Sequence, residues 1–218
     1  MERDFSGKIS ERIRRAQESI RKRVIIAPYT GKIEFIGGCD VAFGEKYAYG
    51  VCVVMKEGEV VEEVWVRTPI EFQYIPGFFF LREAKPVLLA WKKLLVKPDV
   101  LIIDGHGIAH PEGAGLASHT GVVLGVPVVG CAKNLLVGEY EPPGEERGSW
   151  SPVFYKGKKV GEAVRTRDGV KPVFVSPGHR IDFETSRRVV LKTSKYRIPE
   201  PLRLADIEAG KKRKIFTS

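Results

Sequence analysis

Three isolated carboxylates stand where a folded chain tolerates them least. Asp40 interrupts the apolar run IGGCDVAFG, Asp104 ends the run VLIIDGHG, and Glu83 opens the amphipathic segment LREAKPVLLAWKKL. A carboxylate inside a strand is costly unless it is hydrogen-bonded or holds a cation. Asp40 alone is equally well read as a strand-end residue capping a turn, and Glu83 at a helix start is favoured by the helix dipole whatever else it does. Asp104 lies where a buried strand meets a loop, the edge of an α/β sheet at which ligands collect. Should the three converge, they supply the hard oxygen ligands that Mg²⁺, or Mn²⁺ in its place, prefers. Two such metals about 4 Å apart activate water and steady the leaving oxygen of a phosphodiester. Asp206, in PEPLRLAD, is a candidate fourth acid that by local sequence is an ordinary exposed helix residue.

The segment DGHGIAHPEGAGLASHTG carries His106, His110 and His119 among five glycines, including Gly105 and Gly107. Glycines let backbone approach a substrate closely, and histidines ligate metal, move protons or contact phosphate. The spacing matches no structural zinc motif. Lys133, directly after PVVGCA, can meet a phosphate as a point charge or be a plain strand-end lysine. Upstream, Tyr74-Ile75-Pro76-Gly77 precedes Phe78, Phe79 and Phe80. The phenylalanines suit a core, whereas Tyr74 and Pro76 at a turn suit insertion between bases to unstack them. A further Gly-bearing segment, VFVSPGHRID, offers Ser176, Gly178 and His179 as a second rim, or is simply a strand followed by an Asp-initiated helix.

The elements that must position these groups follow from periodicity. Ile9, Ile13, Ala16 and Ile20 repeat at helical spacing among Arg and Lys, predicting a basic helix over 8–24. Segments 33–43, 47–56 and 59–67 are rich in Val, Ile, Phe and Tyr and are separated by turn-like Gly44-Glu45-Lys46 and Glu57-Gly58, so three antiparallel strands are expected. A helix from Glu83 to Val96 closes at Pro98; a buried strand at 99–104, a helix near 114–124 and a strand at 127–132 form a βαβ unit. Strands near 152–157, 160–165 and 173–176, a helix at 182–193 and a short one at 200–210 complete the outline. Three antiparallel strands followed by parallel strands, in a mixed sheet flanked by helices, is the order of the ribonuclease H-like α/β fold. Such a fold hosts many chemistries and does not by itself name one.

Composition narrows the field. The 218 residues, 43% hydrophobic and 29% charged, have no linker or low-complexity stretch, and one domain spanning 1–218 is expected. No apolar run approaches the roughly 20 residues of a membrane helix, and the first residues lack the apolar core of a signal peptide, so a cytoplasmic protein with no membrane partner is expected. The net charge of +9 is clustered in ERIRRAQESIRKR, at Arg187-Arg188 and in the terminal KKRK, which points to a polyanion or to solvated helix faces. Cys39, Cys52 and Cys131 lie in apolar segments without CxxC spacing and read as small buried hydrophobes; Cys39 and Cys52 facing each other across strands, as a disulfide would require, is left open.

With these residues in view, the chain resembles the endonuclease V family of deoxyinosine-specific repair nucleases. The resemblance runs through nearly the whole chain, in order: GGCDVAF, YIPGFFFLRE, DGHGIAHPEGAGLASHTGVVLGVPVVGCAKN, VSPGHRID and YRIPEPLRLAD. It implies a ribonuclease H-like fold and Mg²⁺- or Mn²⁺-dependent hydrolysis of the second phosphodiester 3′ to inosine, leaving 3′-hydroxyl and 5′-phosphate ends. It further implies that Asp40, Glu83 and Asp104 are the catalytic metal-binding acids, with Asp206 at a more variable acidic or histidine position. Tyr74 would be the strand-separating wedge, and His110, His119 and Lys133 would lie near the scissile phosphate. The Gly-rich backbone after Asp104 would help enclose the flipped base. One departure is Gln73, where the family's wedge block opens with Pro. Deoxyinosine-containing DNA is the implied partner of a monomer. Inosine-containing RNA, mismatched or branched DNA, and a recognition module that does not cleave are the alternatives.

Overall fold

A computed structural model describes residues 2–71 and 80–217, without the side chains of 2–10, 12, 13, 80, 81 and 217. The expected wedge, Tyr74 to Gly77, lies outside the described residues. Strands β1 (Phe35–Phe43), β2 (Tyr47–Lys56) and β3 (Glu59–Pro69) form an antiparallel meander. Glu57 (φ 51°) and Gly58 (φ 90°) make the β2–β3 turn, both in the left-handed region that a two-residue hairpin with native twist requires. Helix α1 (Glu2–Arg23) precedes the meander and α2 (Phe80–Lys93) follows it.

The chain then builds β4 (Val100–Ile103), α3 (Leu116–Leu124) and β5 (Val128–Ala132), with β4 parallel to β1 and β5 parallel to β4. Strands β6 (Trp150–Tyr155), β7 (Lys158–Val164) and β8 (Val173–His179) are antiparallel to their neighbours, so the parallel portion is confined to β1, β4 and β5. Helices α4 (Phe183–Thr193) and α5 (Glu200–Thr217) end the chain. Among the described residues eight strands join one sheet in the order β3-β2-β1-β4-β5-β8-β7-β6, the mixed ribonuclease H-like arrangement expected from the element order. No helix among the described residues is long and apolar enough to cross a membrane.

Helices cover both faces of this sheet. On one, Val87 and Ala90 of α2, with Leu94 just after it, pack on Cys39, Cys52, Val54, Leu101 and Ile103. On the other, Ala205 and Ala209 of α5 pack on Val51, Val53 and Met55, while Val189 and Val190 of α4 meet Ile102, Val129 and Val175. Two glycines set how closely the helices bearing acids approach. A Cβ on Gly50 would lie 2.6 Å from the carbonyl oxygen of Pro86 in α2, and one on Gly38 would lie 2.3 Å from the carbonyl carbon of Pro201 in α5. Both contacts are far inside van der Waals range, so α2 and α5 rest backbone-on-backbone against β2 and β1.

Several elements exceed their sequence-based bounds, among them α1, which begins at Glu2, and β3, which runs to Pro69. Helix α2 starts three residues before Glu83 and carries Pro86 within it. Strand β8 passes through Pro177 and Gly178, which read as stop signals. Its pairing with β5 shifts register there, Val128 facing His179 and Val129 facing Pro177, so Gly178 is accommodated as a bulge and the strand continues. The VSPGH segment is therefore buried strand and not a rim loop: Ser176 and His179 are nearly inaccessible. Helix α5 runs on past Gly210 through the basic cluster.

Candidate active site

Adjacent parallel strands bring two acids together. Cys39 of β1 is in register with Ile103 of β4, so Asp40 and Asp104 are the next positions on strands whose backbones lie about 4.8 Å apart. Asp40 shares the α5-facing side of β1 with Ala42. Lys133 follows β5, the next strand, and its Nζ lies 3.2 Å from Asp104 Oδ2 and 3.5 Å from Asp206 Oδ2 of α5. Glu83, on α2, is buried.

Electrostatics bind these groups into one cluster. Burial, then the charges of Asp104 and Asp206, push the Asp40 carboxyl up to about 7, against the opposing effects of the Val41 backbone and Lys133. Burial, Asp40 and Asp104 raise Glu83 well above the ordinary range, with Arg82 opposing. Burial and Asp206 raise Asp104 although Lys133 pulls it down. For Lys133 burial opposes the charge, but Asp104, Asp206 and Asp40 outweigh it and hold the ammonium more firmly protonated than usual. Four acids against this lysine and Arg82 form a site short of positive charge, built from oxygen donors. That donor set fits a hard divalent cation. Among the described residues no three potential ligands already converge at metal-binding distance.

This frustration gives a stability signature in metal-free protein. Asp40 has a folded-state pKa of about 7 against an ordinary 3.8, so between those values the folded state binds the extra proton and stability falls as pH rises. The contribution is complete below about 4 and lost through about 7. Asp40→Asn, uncharged throughout, is expected to raise the melting temperature of EDTA-treated protein at pH 8 by several degrees and to flatten its decline from pH 5 to pH 8. Scanning calorimetry across that range checks it; an unchanged slope refutes the coupling.

The Gly-rich loop after Asp104 is laid on β8 and on the start of α3. Gly107 N donates to Ser176 Oγ at 2.8 Å and Ile108 N to the Pro177 carbonyl at 2.9 Å, while Ala117 N donates to the His106 carbonyl at 3.1 Å. A Cβ on Gly107 would stand 2.0 Å from the Pro177 oxygen, so only glycine permits this seat. Gly105 carries φ 146° directly beside Asp104.

His106 and His110 lie in this loop and His119 on α3, all with pKa lowered by burial, His106 to about 4. They are neutral at pH 7. His106 Nε2 lies 3.1 Å from the Asn134 carbonyl and so carries the proton. His110 Nδ1 accepts from Glu112 N at 3.2 Å, which puts its proton on Nε2. Among the described residues the acids couple to one another, to Lys133 and to Arg82. His179 instead joins β8 to the segment after α1, accepting from Ile25 N at 3.2 Å.

One feature escaped the sequence reading, and the cysteine pairing it left open is present. Arg197 donates to the Lys133 carbonyl at 2.6 Å and to the Pro172 and Lys171 carbonyls at 3.0 Å, anchoring the backbone that presents Lys133. Its only signal was an arginine in the YRIPEP segment. Cys39 and Cys52, in register across β1 and β2, form a disulfide, while Cys131 is free and buried. The residue following Cys39 is Asp40, so the cross-link braces the strand at the acid.

Comparison with known proteins decides the family. The sequence profile described as Endonuclease V matches residues 18–207. The chain belongs to the endonuclease V family. It is 50% identical over 194 residues to endonuclease V of Dictyoglomus turgidum, covering 88% of this chain and 85% of that protein. Over 200 residues it is 46% identical to endonuclease V of Dictyoglomus thermophilum, covering 90% and 88%. The crystal structure of endonuclease V from Streptomyces avermitilis superposes with a TM-score of 0.90 at 39% identity, covering 95% of this chain and 94% of that one. Endonuclease V of Ciona intestinalis, crystallised with a 24mer DNA containing an inosine followed by a ribo-adenosine, superposes with a TM-score of 0.85 at 25% identity, covering 96% and 99%.

Proposed function

We propose that this chain is a metal-dependent endonuclease that recognises deoxyinosine in DNA and hydrolyses the second phosphodiester on its 3′ side, initiating repair. The observation that carries the reading is the cluster of Asp40, Glu83, Asp104 and Asp206, with Lys133 paired to the last two, at the central strands β1, β4 and β5, in a chain of a family whose Ciona member was crystallised with inosine-containing DNA. The reading takes 1–218 as one domain and the protein as a cytoplasmic monomer.

Asp40, Glu83 and Asp104 would hold the metal, Mg²⁺ with Mn²⁺ as substitute. When bound, such a cation makes water a nucleophile at neutral pH and offsets the charge of a phosphodiester. Asp206 and Asp104 hold the Lys133 ammonium between them, where it would meet a phosphate oxygen as a point charge. His110, neutral with its proton on Nε2, serves as a donor to the phosphate or the leaving oxygen. Gly105 to Gly107, with His106 fixed on Asn134, wall the pocket for the extruded base. Hypoxanthine lacks the exocyclic amine of guanine, and a pocket closed by backbone rejects the extra group by clash. Tyr74, Ile75, Pro76 and Gly77 are proposed as the wedge on their sequence alone, and His119 as a phosphate neighbour.

The test is cleavage of an end-labelled duplex with one central deoxyinosine, in Mg²⁺ and in EDTA, beside a matched inosine-containing RNA. A single nick one nucleotide beyond the inosine, lost in EDTA and absent at guanosine, is expected. Faster cleavage of the RNA would move the assignment to an endoribonuclease. Binding without cleavage of either would reduce it to a recognition module.

A further inference from the structure

Helix α5 continues beyond residue 207, where the family match ends, for nearly three further turns. This extension is docked on the sheet. Ala205 and Ala209 are buried on β2, Lys212 Nζ sits 5.1 Å from the Trp65 ring centre, and Phe216 stacks on Tyr49 at 6.0 Å and leans on Trp65 at 5.5 Å. Arg67 of β3 lies 5.6 Å from the Phe216 ring and 3.7 Å over Tyr47. Residues 205, 209, 212 and 216 thus form the packed stripe of an amphipathic helix.

The neighbouring stripe is Asp206, Gly210 and Arg213, at i, i+4 and i+7 on one flank. Its first member meets Lys133 in the acid cluster. Its last lies about 10 Å further along the axis at 1.5 Å per residue. Between them stands Gly210, a poor helix former in a helix interior. Among the described residues a Cβ there would meet nothing within 4 Å, and its φ is not positive. The basic residues alone are explained by the dipole at a helix C-terminus. Neither the bare Gly210 nor the aromatic clamp that fixes the basic turn is.

We propose that residues 210–216 of α5 form a docking surface for the phosphate backbone of duplex DNA flanking the cleavage site, with the backbone passing closest at Gly210 and meeting Arg213. The direction of the strand, from the acids outward along α5, rests on the nuclease reading. Lys214, the next residue along the helix, is exposed as well. Phosphate contacts of this kind carry no base information and serve to hold register.

The test uses full-length protein and inosine-free duplex in EDTA, so that binding is read independently of cleavage. Gly210→Gln is expected to raise the melting temperature, as a better helix former on an open face, yet to weaken duplex binding at least tenfold. A substitution acting only on the fold does not separate the two in this way. Arg213→Gln with Lys214→Gln is expected to reduce the slope of log K against log salt by about 1.8, at about 0.9 per phosphate contact. An unchanged dissociation constant in the first variant, or an unchanged slope in the second, overturns the proposal. Should wild type bind duplex in this manner but never nick inosine DNA, the nuclease reading fails and the surface stands. Should it nick normally while both variants bind as wild type does, the surface alone fails.

Discussion

Asp104→Ala is expected to lower the single-turnover rate of inosine-directed cleavage by about a thousandfold or more, the effect of removing about 4 kcal/mol of transition-state stabilisation. The same protein should bind the substrate in EDTA at least as tightly as wild type. The two halves of this expectation have one cause. Asp104 belongs to a cluster whose acids raise one another's pKa, so its charge is useful only when a cation is present. Without the cation it repels an incoming phosphate, and its removal leaves Lys133 with Asp206 as its remaining ion-pair partner at 3.5 Å. Asp40→Asn should act in parallel, since Asp40 occupies the adjacent strand at the next register position. Single-turnover cleavage combined with a gel-shift titration in EDTA measures both halves. Undiminished cleavage in either variant would remove these acids from the mechanism. Equal loss of binding and cleavage would make the cluster a binding element.

The acids were legible because charge in an apolar strand is expensive, and the expense marks the residue whatever the fold. Asp40 and Asp104 stood out for that reason, and the three-strand meander and βαβ order placed them on one sheet. Asp206 was not distinctive: an exposed helix aspartate carries no such mark, and its placement depends on Gly38 letting the first turn of α5 rest on β1, a tertiary contact with no local pattern. Boundaries failed where a local stop signal was absorbed by pairing or packing. Gly178 reads as a break, but a bulge against β5 carries β8 through it, and Ser176 and His179 thereby become internal struts. Gly210 also reads as a stop, yet the helix continues because Lys212 and Phe216 find partners on β2 and β3. The Cys39–Cys52 pairing needed the register of β1 on β2, which alternation alone does not determine. Arg197 was hidden for a different reason, since its partners are backbone carbonyls far away in sequence.

Those struts lead to the second large effect. Gly107→Ala is expected to cost stability and to reduce inosine cleavage by more than a hundredfold, without altering any charged or reacting group. The new methyl would stand 2.0 Å from the Pro177 oxygen and 2.5 Å from its carbonyl carbon. Strand β8 cannot retreat, because it lies inside the sheet between β5 and β7. The loop must therefore lift, breaking Gly107 N to Ser176 Oγ and Ile108 N to the Pro177 carbonyl. Overpacking of this kind costs about 1–3 kcal/mol. The lift also carries Gly105 and His106 away from Asp104, which opens the proposed base pocket and should narrow the preference for inosine over guanosine. Ser176→Ala separates the two consequences. It leaves the Gly107 amide without its acceptor, a loss of about 1–3 kcal/mol, but introduces no clash, so the loop keeps its seat on Pro177 and cleavage should fall by no more than about tenfold. Urea unfolding beside cleavage rates on inosine and guanosine duplexes distinguishes them. If Gly107→Ala cleaved and discriminated as wild type does, the loop would have no part in enclosing the base.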